Sequence, residues 1–160
     1  MPRKSPALAV LASADTESTE LQRDLLVYLG FNCQKTYLTM LPALLKAMGK
    51  FKLRPADFSV LVLVRGNPDI NQKRISEILN ISPPNMATLL DRLEQRDILT
   101  RQRNPSDKRS QVLVLTAEGL RICNKAEKAV SETEQALSSA LSEEEKNELI
   151  RLLRKLQVGA

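Results

Sequence analysis

The stretch LNISPPNMAT, Leu79 to Thr88, restricts the fold of this chain more than any other. Adjacent prolines remove two backbone donors, so a helix can begin at Pro83 and Pro84 but cannot pass through them. Ser82 suits the N-cap of that helix, Pro83 its first position, and Pro84 fits the first turn. Met86, Leu89, Leu90 and Leu93 then form one apolar stripe that runs to about Arg96. Upstream, Asn71 can cap a short helix from Gln72 to Leu79, with Ile75, Ile78 and Leu79 facing inward. Asn80 follows, and asparagine takes the left-handed conformation that stops a helix sharply. Two helices separated by so few residues make a helix-turn-helix, the second with a polar outer face of Asn85, Thr88, Asp91, Arg92 and Gln95.

The sequence that follows, RQRNPSDKRSQVLVLT from Arg101 to Thr116, reads as a hairpin appended to that motif. Its second half is apolar and β-branched, as a strand should be, and NPSD carries turn formers. Arg101, Arg103, Lys108 and Arg109 face a single anion, Asp107, within ten residues, although the net charge of the chain is only +5. A cation cluster can be a plain solvated face, but on a hairpin beside a helix-turn-helix it describes a winged helix with a basic wing. The second helix, fourteen residues or roughly 20 Å long, would enter a major groove about 12 Å wide.

The residue inventory limits other functions. There is no histidine, and Cys33 and Cys123 are far apart without zinc-ligand or redox spacing, so no metal site or cofactor is expected. Glycine-rich phosphate loops and a nucleophile elbow are missing from the sequence, so an enzyme is not expected. The composition, 42% hydrophobic and 27% charged, is that of a globular domain, and no apolar run approaches a membrane span. A cytoplasmic protein with no membrane partner is expected, and the apolar ALAVLA near the start is too short for a secretory signal. Residues 1–19 read as a flexible arm, and 20–160 as one domain.

Helices flank the winged lobe, which spans 55–116. From Glu20 to about Met48, apolar residues recur at helical spacing, and Pro42 should kink that helix without ending it. Pro55 suits the start of a helix over PADFSVLVLVR, with Gly66 as its C-terminal cap. After Thr116 as a cap, Cys123, Ala126, Val130, Thr133, Leu137 and Ala140 form a packing seam. Ser142 and Glu145 make a capping box for a last helix with the apolar face Leu149, Leu152, Leu153 and Leu156. This predicts a mainly α fold with a small β-hairpin (α+β). Helices 20–50 and 117–160 offer more apolar surface than the lobe can cover, which points to an interface.

From Asn71 to Thr116 the chain resembles the DNA-binding lobe of the MarR family of bacterial transcription regulators. QKRISEILNIS resembles the first helix and turn, LLDRLEQRDIL the recognition helix, and NPSDKRSQVLVLT the wing, with Asp107 and Arg109 as its most specific element. The resemblance implies a homodimer built from the two ends of the chain, a repressor on a pseudo-palindromic double-stranded operator, and release by a small-molecule effector. It implies DNA contacts from Lys73, Ser82, Pro84, Asn85, Thr88, Arg92, Arg101, Arg103, Asp107, Lys108, Arg109 and Ser110. Thr88 stands where the family often has arginine, a change that bears on base preference. Phe31, Gln34, Lys35, Phe58 and Leu61 are candidate effector lining, with Lys35 as counter-ion to an aromatic carboxylate; core packing explains the apolar members equally well. Alternatives are a thiol sensor using Cys33 or Cys123, and a winged helix that docks protein in place of DNA.

Overall fold

In the computed structural model, residues 22–104 and 111–158 are described, and among them lie six helices and one antiparallel hairpin. The chain divides between Leu41 and Pro42 into two compact units. Helix α1, Leu29–Gly49, runs through Pro42 without ending there. It starts later than its apolar period suggests: residues 22–27 form turns, and the Asn32 side-chain amide donates to the carbonyls of Leu26 and Tyr28 at 2.8 Å each. An asparagine that occupies those carbonyls competes with the helical ladder.

Helix α2, Pro55–Gly66, begins with Asp57 accepting from the Arg54 backbone N–H at 2.9 Å. Its end differs from the expectation. Gly66 is the last helical residue, and Asn67 takes the cap position, its amide donating to the Leu63 carbonyl at 2.8 Å. A polar side chain thus satisfies an end carbonyl that a left-handed glycine would otherwise serve.

Helix α3, Gln72–Leu79, is capped by Asn71, which accepts from the Arg74 N–H at 2.9 Å, and is closed by Asn80 at φ 49° and ψ 45°. Ile75 is fully buried and Leu79 half-buried, but Ile78 points outward. Helix α4, Pro83–Gln95, starts after Ser82, which makes no side-chain capping bond. Pro84, at the second helical position, has already removed one of the two donors such a cap would serve. Asp97, left-handed at φ 52°, and the Ile98 N–H, bonded to the Leu93 carbonyl at 3.0 Å, turn the chain into the hairpin.

Strands β1, Leu99–Arg103, and β2, Gln111–Leu115, pair with Arg101 opposite Leu113 and Arg103 opposite Gln111. Leu113 also donates to the Ile70 carbonyl at 2.9 Å, tying the hairpin to the segment before α3. Helix α5, Ala117–Leu137, is capped by Thr116, whose hydroxyl accepts from Gly119 at 2.9 Å and donates to Asp97 at 2.6 Å. The seam expected along α5 is partial: Cys123, Ala126 and Val130 are buried, Thr133 is half-buried, Leu137 is exposed, and Ala140 lies beyond the helix. Helix α6, Glu143–Val158, opens on the expected capping box, Ser142 N–H to Glu145 at 2.8 Å and Glu145 N–H to Ser142 at 3.2 Å.

The core of the second unit joins Val60, Leu61, Ile75, Met86, Leu90, Leu93, Ile98, Leu99, Cys123 and Ala126. It draws on α2, α3, α4, the hairpin and α5, so α4 is part of the packed core and not an appendage. By contrast, no described side chain of α6 is buried. None of the described helices is long and apolar enough to cross a membrane.

Candidate nucleic-acid interface

The outer face of α4 is built by period. Asn85, Thr88 and Arg92, spaced by three and four, share one stripe opposite the buried Met86, Leu89, Leu90 and Leu93. Ser82, Pro84, Asn85 and Thr88 are exposed, and the Thr88 hydroxyl donates to the Pro84 carbonyl at 3.1 Å. That bond supplies one of the carbonyls in the first turn and leaves the hydroxyl oxygen able to accept. Between α3 and the start of α4 an open groove of about 800 Å³ brings exposed Lys73 next to Ser82, with Gln72, Ser76 and Asn80 also lining it. A cation, two amides and the exposed Ser82 hydroxyl along one open groove suit phosphate and sugar contacts.

The arginines of this region have partners that their sequence positions do not announce. Arg92, at the end of that stripe, bonds the carboxylate of Asp57 on α2, which is 1% exposed. Arg96 donates to the Phe51 and Lys52 carbonyls at 3.0 and 2.8 Å, tying the end of α4 to the loop after α1. Arg101 on β1 reaches back to α4, bonding Asp91 at 2.6 Å and also Glu94, whose other oxygen accepts from the Arg101 backbone N–H at 3.2 Å. Three side chains therefore brace the helix against α2, a loop and the wing, and every charged residue of α4 has an ion partner. Asp57, Glu94 and Arg96 escape a reading of the sequence because the first looks like a local cap and the other two like ordinary helix-surface charges.

Arg103 is exposed at the end of β1. Asp107, Lys108, Arg109 and Ser110, the expected wing tip, lie outside the described residues.

The candidate effector residues divide. Phe31, Gln34 and Lys35 line a hollow of about 310 Å³ within the first unit, together with Gln22, Leu38 and Thr39; the Lys35 ammonium donates to Gln22 at 2.5 Å. Leu61 is fully buried and Phe58 packs against the core of the second unit, so the core account holds for both. Of the cysteines, Cys33 is exposed, whereas Cys123 is buried and burial pushes its thiol up from its ordinary range. A thiol with a raised pKa carries little thiolate at neutral pH and reacts slowly. Among the described residues no group of three or more His, Cys, Asp or Glu is placed to hold a metal ion.

Comparison with known proteins agrees with this arrangement. The sequence model of the MarR family matches residues 53–111. The HTH-type transcriptional regulator PecS of Dickeya dadantii is 36% identical over 118 residues, 72% of this chain and 71% of PecS. The transcriptional regulatory protein described for the hcr operon of Thauera aromatica is 26% identical over 102 residues, 64% of this chain, and the chain spans only 61% of that protein's length. The solved structure of the transcriptional repressor CouR bound to a 23-mer DNA duplex superposes with a TM-score of 0.78 at 34% identity, covering 85% of this chain and 96% of CouR. CouR bound to p-coumaroyl-CoA gives 0.74 at 32% identity, covering 84% and 94%. By its helix-turn-helix and hairpin, and by its identity to PecS over more than two thirds of both chains, this chain belongs to the MarR family of transcriptional regulators.

Proposed function

We propose that the chain is a DNA-binding regulator and not an enzyme, acting as a homodimeric repressor on a pseudo-palindromic operator and released by a small molecule. The observation that carries the reading is the α3–α4 pair with its exposed Ser82, Asn85 and Thr88, on a chain 34% identical to a repressor solved on duplex DNA. Asn85 and Thr88 read bases in the major groove, and Lys73 and Ser82 hold the backbone beside them. Arg103 and Lys108 meet phosphates, and Arg109 is the wing residue for the minor groove. Arg101 leaves that group, because its guanidinium already holds Asp91 and Glu94.

The dimer rests on α6. Leu149, Leu152 and Leu156 are each 45–51% exposed on one face of a helix none of whose described side chains is buried, which is the surface expected of an interface. For the effector, an aromatic acid or its thioester suits the hollow at Phe31, with Lys35 facing the anionic group. A related repressor solved with p-coumaroyl-CoA supports that class.

Binding to random-sequence duplex DNA across a salt series tests the reading. The association constant should fall steeply and log-linearly with salt, and Lys108→Ala should lower the slope by about 1. Salt-independent or undetectable binding would instead leave the winged helix as a protein-docking module.

A further inference from the structure

Asp57 belongs to α2 and is assigned no DNA contact itself, yet it is the partner of the only cation on α4 and lines one hollow with Asn85 and Thr88. Its carboxylate has two ties. One oxygen accepts from the Arg54 backbone N–H at 2.9 Å, and the other bonds Arg92. At 1% exposure the carboxylate cannot turn to solvent, so it fixes the guanidinium that holds it. Arg92 itself stays 32% exposed, and it lines a hollow of about 330 Å³ with Asn85 and Thr88, its neighbours on the stripe. A guanidinium has five N–H donors in one rigid plane, and the bond to Asp57 takes one of them. The rest are held at the end of a stripe whose other members are neutral.

We infer that Asp57 is a specificity-determining positioning residue. It holds Arg92 in one orientation so that the free edge of the guanidinium completes the base-reading stripe begun by Asn85 and Thr88. The inference rests on the DNA-binding reading above. A free arginine would roam and pair with any phosphate in reach, raising affinity for all sequences alike. An arginine held by a buried carboxylate has its positive charge largely offset by that partner and presents a fixed geometry, which favours a base edge with two acceptors.

The test starts from the site that the full-length parent chain enriches from a random-sequence duplex library. Affinity for that site and for a scrambled duplex is then measured at fixed salt for the parent, Asp57→Asn and Arg92→Lys. Asparagine keeps an acceptor for the Arg54 N–H but removes the charge, and lysine keeps the charge but has no planar fork. Both variants should lose about tenfold in the ratio of site to scrambled affinity. Asp57→Asn should do so while binding the scrambled duplex more tightly than the parent, a gain that mere loosening of the lobe would not give. Arg92→Lys retains the ion pair and serves where Asp57→Asn fails to fold. An unchanged ratio in either folded variant, beside a parent that does select a site, overturns the role of Asp57. A parent that enriches nothing and binds no duplex overturns the DNA reading itself, and the role of Asp57 with it.

Discussion

Arg65 and Glu127 show how a single pair joins the lobe to the long helix after it. Arg65, in the last turn of α2, meets both oxygens of Glu127 on α5 at 2.6 Å and also reaches Asn124 at 2.9 Å. The bond from Arg65 holds the Glu127 carboxyl below the usual carboxylate range, and the same bond raises Arg65. A carboxylate whose folded pKa is depressed stabilises the fold above its unfolded pKa, and that contribution is lost as pH falls through the folded value. The side chains are 29% and 45% exposed, so solvent screening limits the pair to at most about 1 kcal/mol. Melting temperatures of the parent and Glu127→Gln, compared over pH, should therefore differ at neutral pH and converge in acid, below the ordinary glutamate range. A difference that persisted unchanged at low pH would mean that the pair acts through packing and not charge.

At the level of elements, the tightest junction is where the hairpin, α4 and α5 meet. Thr116 caps α5, its hydroxyl also holds the Asp97 carbonyl, and the Thr116 N–H donates to Ile98 at 3.1 Å. Gly119 passes so close that an added Cβ would stand 1.8 Å from the Ile98 carbonyl oxygen. Gly119→Ala consequently sets two effects against each other. Alanine favours a helical position by at most about 1 kcal/mol, and less in the first turn, where Gly119 stands. The clash is with backbone, which cannot swing aside, and overpacking of this kind costs on the order of 3 kcal/mol. The clash wins. Urea denaturation should show the variant less stable by at least about 2 kcal/mol, the difference between those two estimates. A variant as stable as the parent would show that α5 can slide away from the turn.

Among the described residues, the winged lobe is packed, while apolar side chains of the helices toward both ends of the chain stay exposed. Tyr28, Leu29, Leu38 and Leu45 are exposed toward the start of the chain, and Leu149, Ile150, Leu152 and Leu156 toward its end. If a second copy supplies the cover, replacing Leu149 and Leu152 together with aspartate should yield monomer in sedimentation. The lobe should keep its helical spectrum, because no described side chain of α6 enters the core. DNA affinity should fall by about two orders of magnitude, the effect of losing a linked second lobe. A double variant that sediments as a dimer would place the interface elsewhere.

Several boundaries were legible in the sequence because the forces that set them are local. Asn71, Asn80, Thr116 and the Ser142–Glu145 pair act on backbone groups within four residues, and each occupies the position its chemistry predicts. The adjacent prolines likewise start α4 where no other element could continue. The winged lobe followed from this punctuation and from the apolar periods between its marks, and the family from the resemblance of Asn71 to Thr116 to known members. Tertiary structure decided where the long side chains end. Nothing near position 92 in the sequence specifies a partner 35 residues away, and Arg96 and Arg101 read as surface cations until α4 is packed. Leu61 and Ile78 have similar chemistry and opposite fates, one in the core and one in solvent, because two helices chose which face to bury. A side chain several bonds long selects its partner by what packing brings within reach, and that distance is not a property of neighbours in sequence.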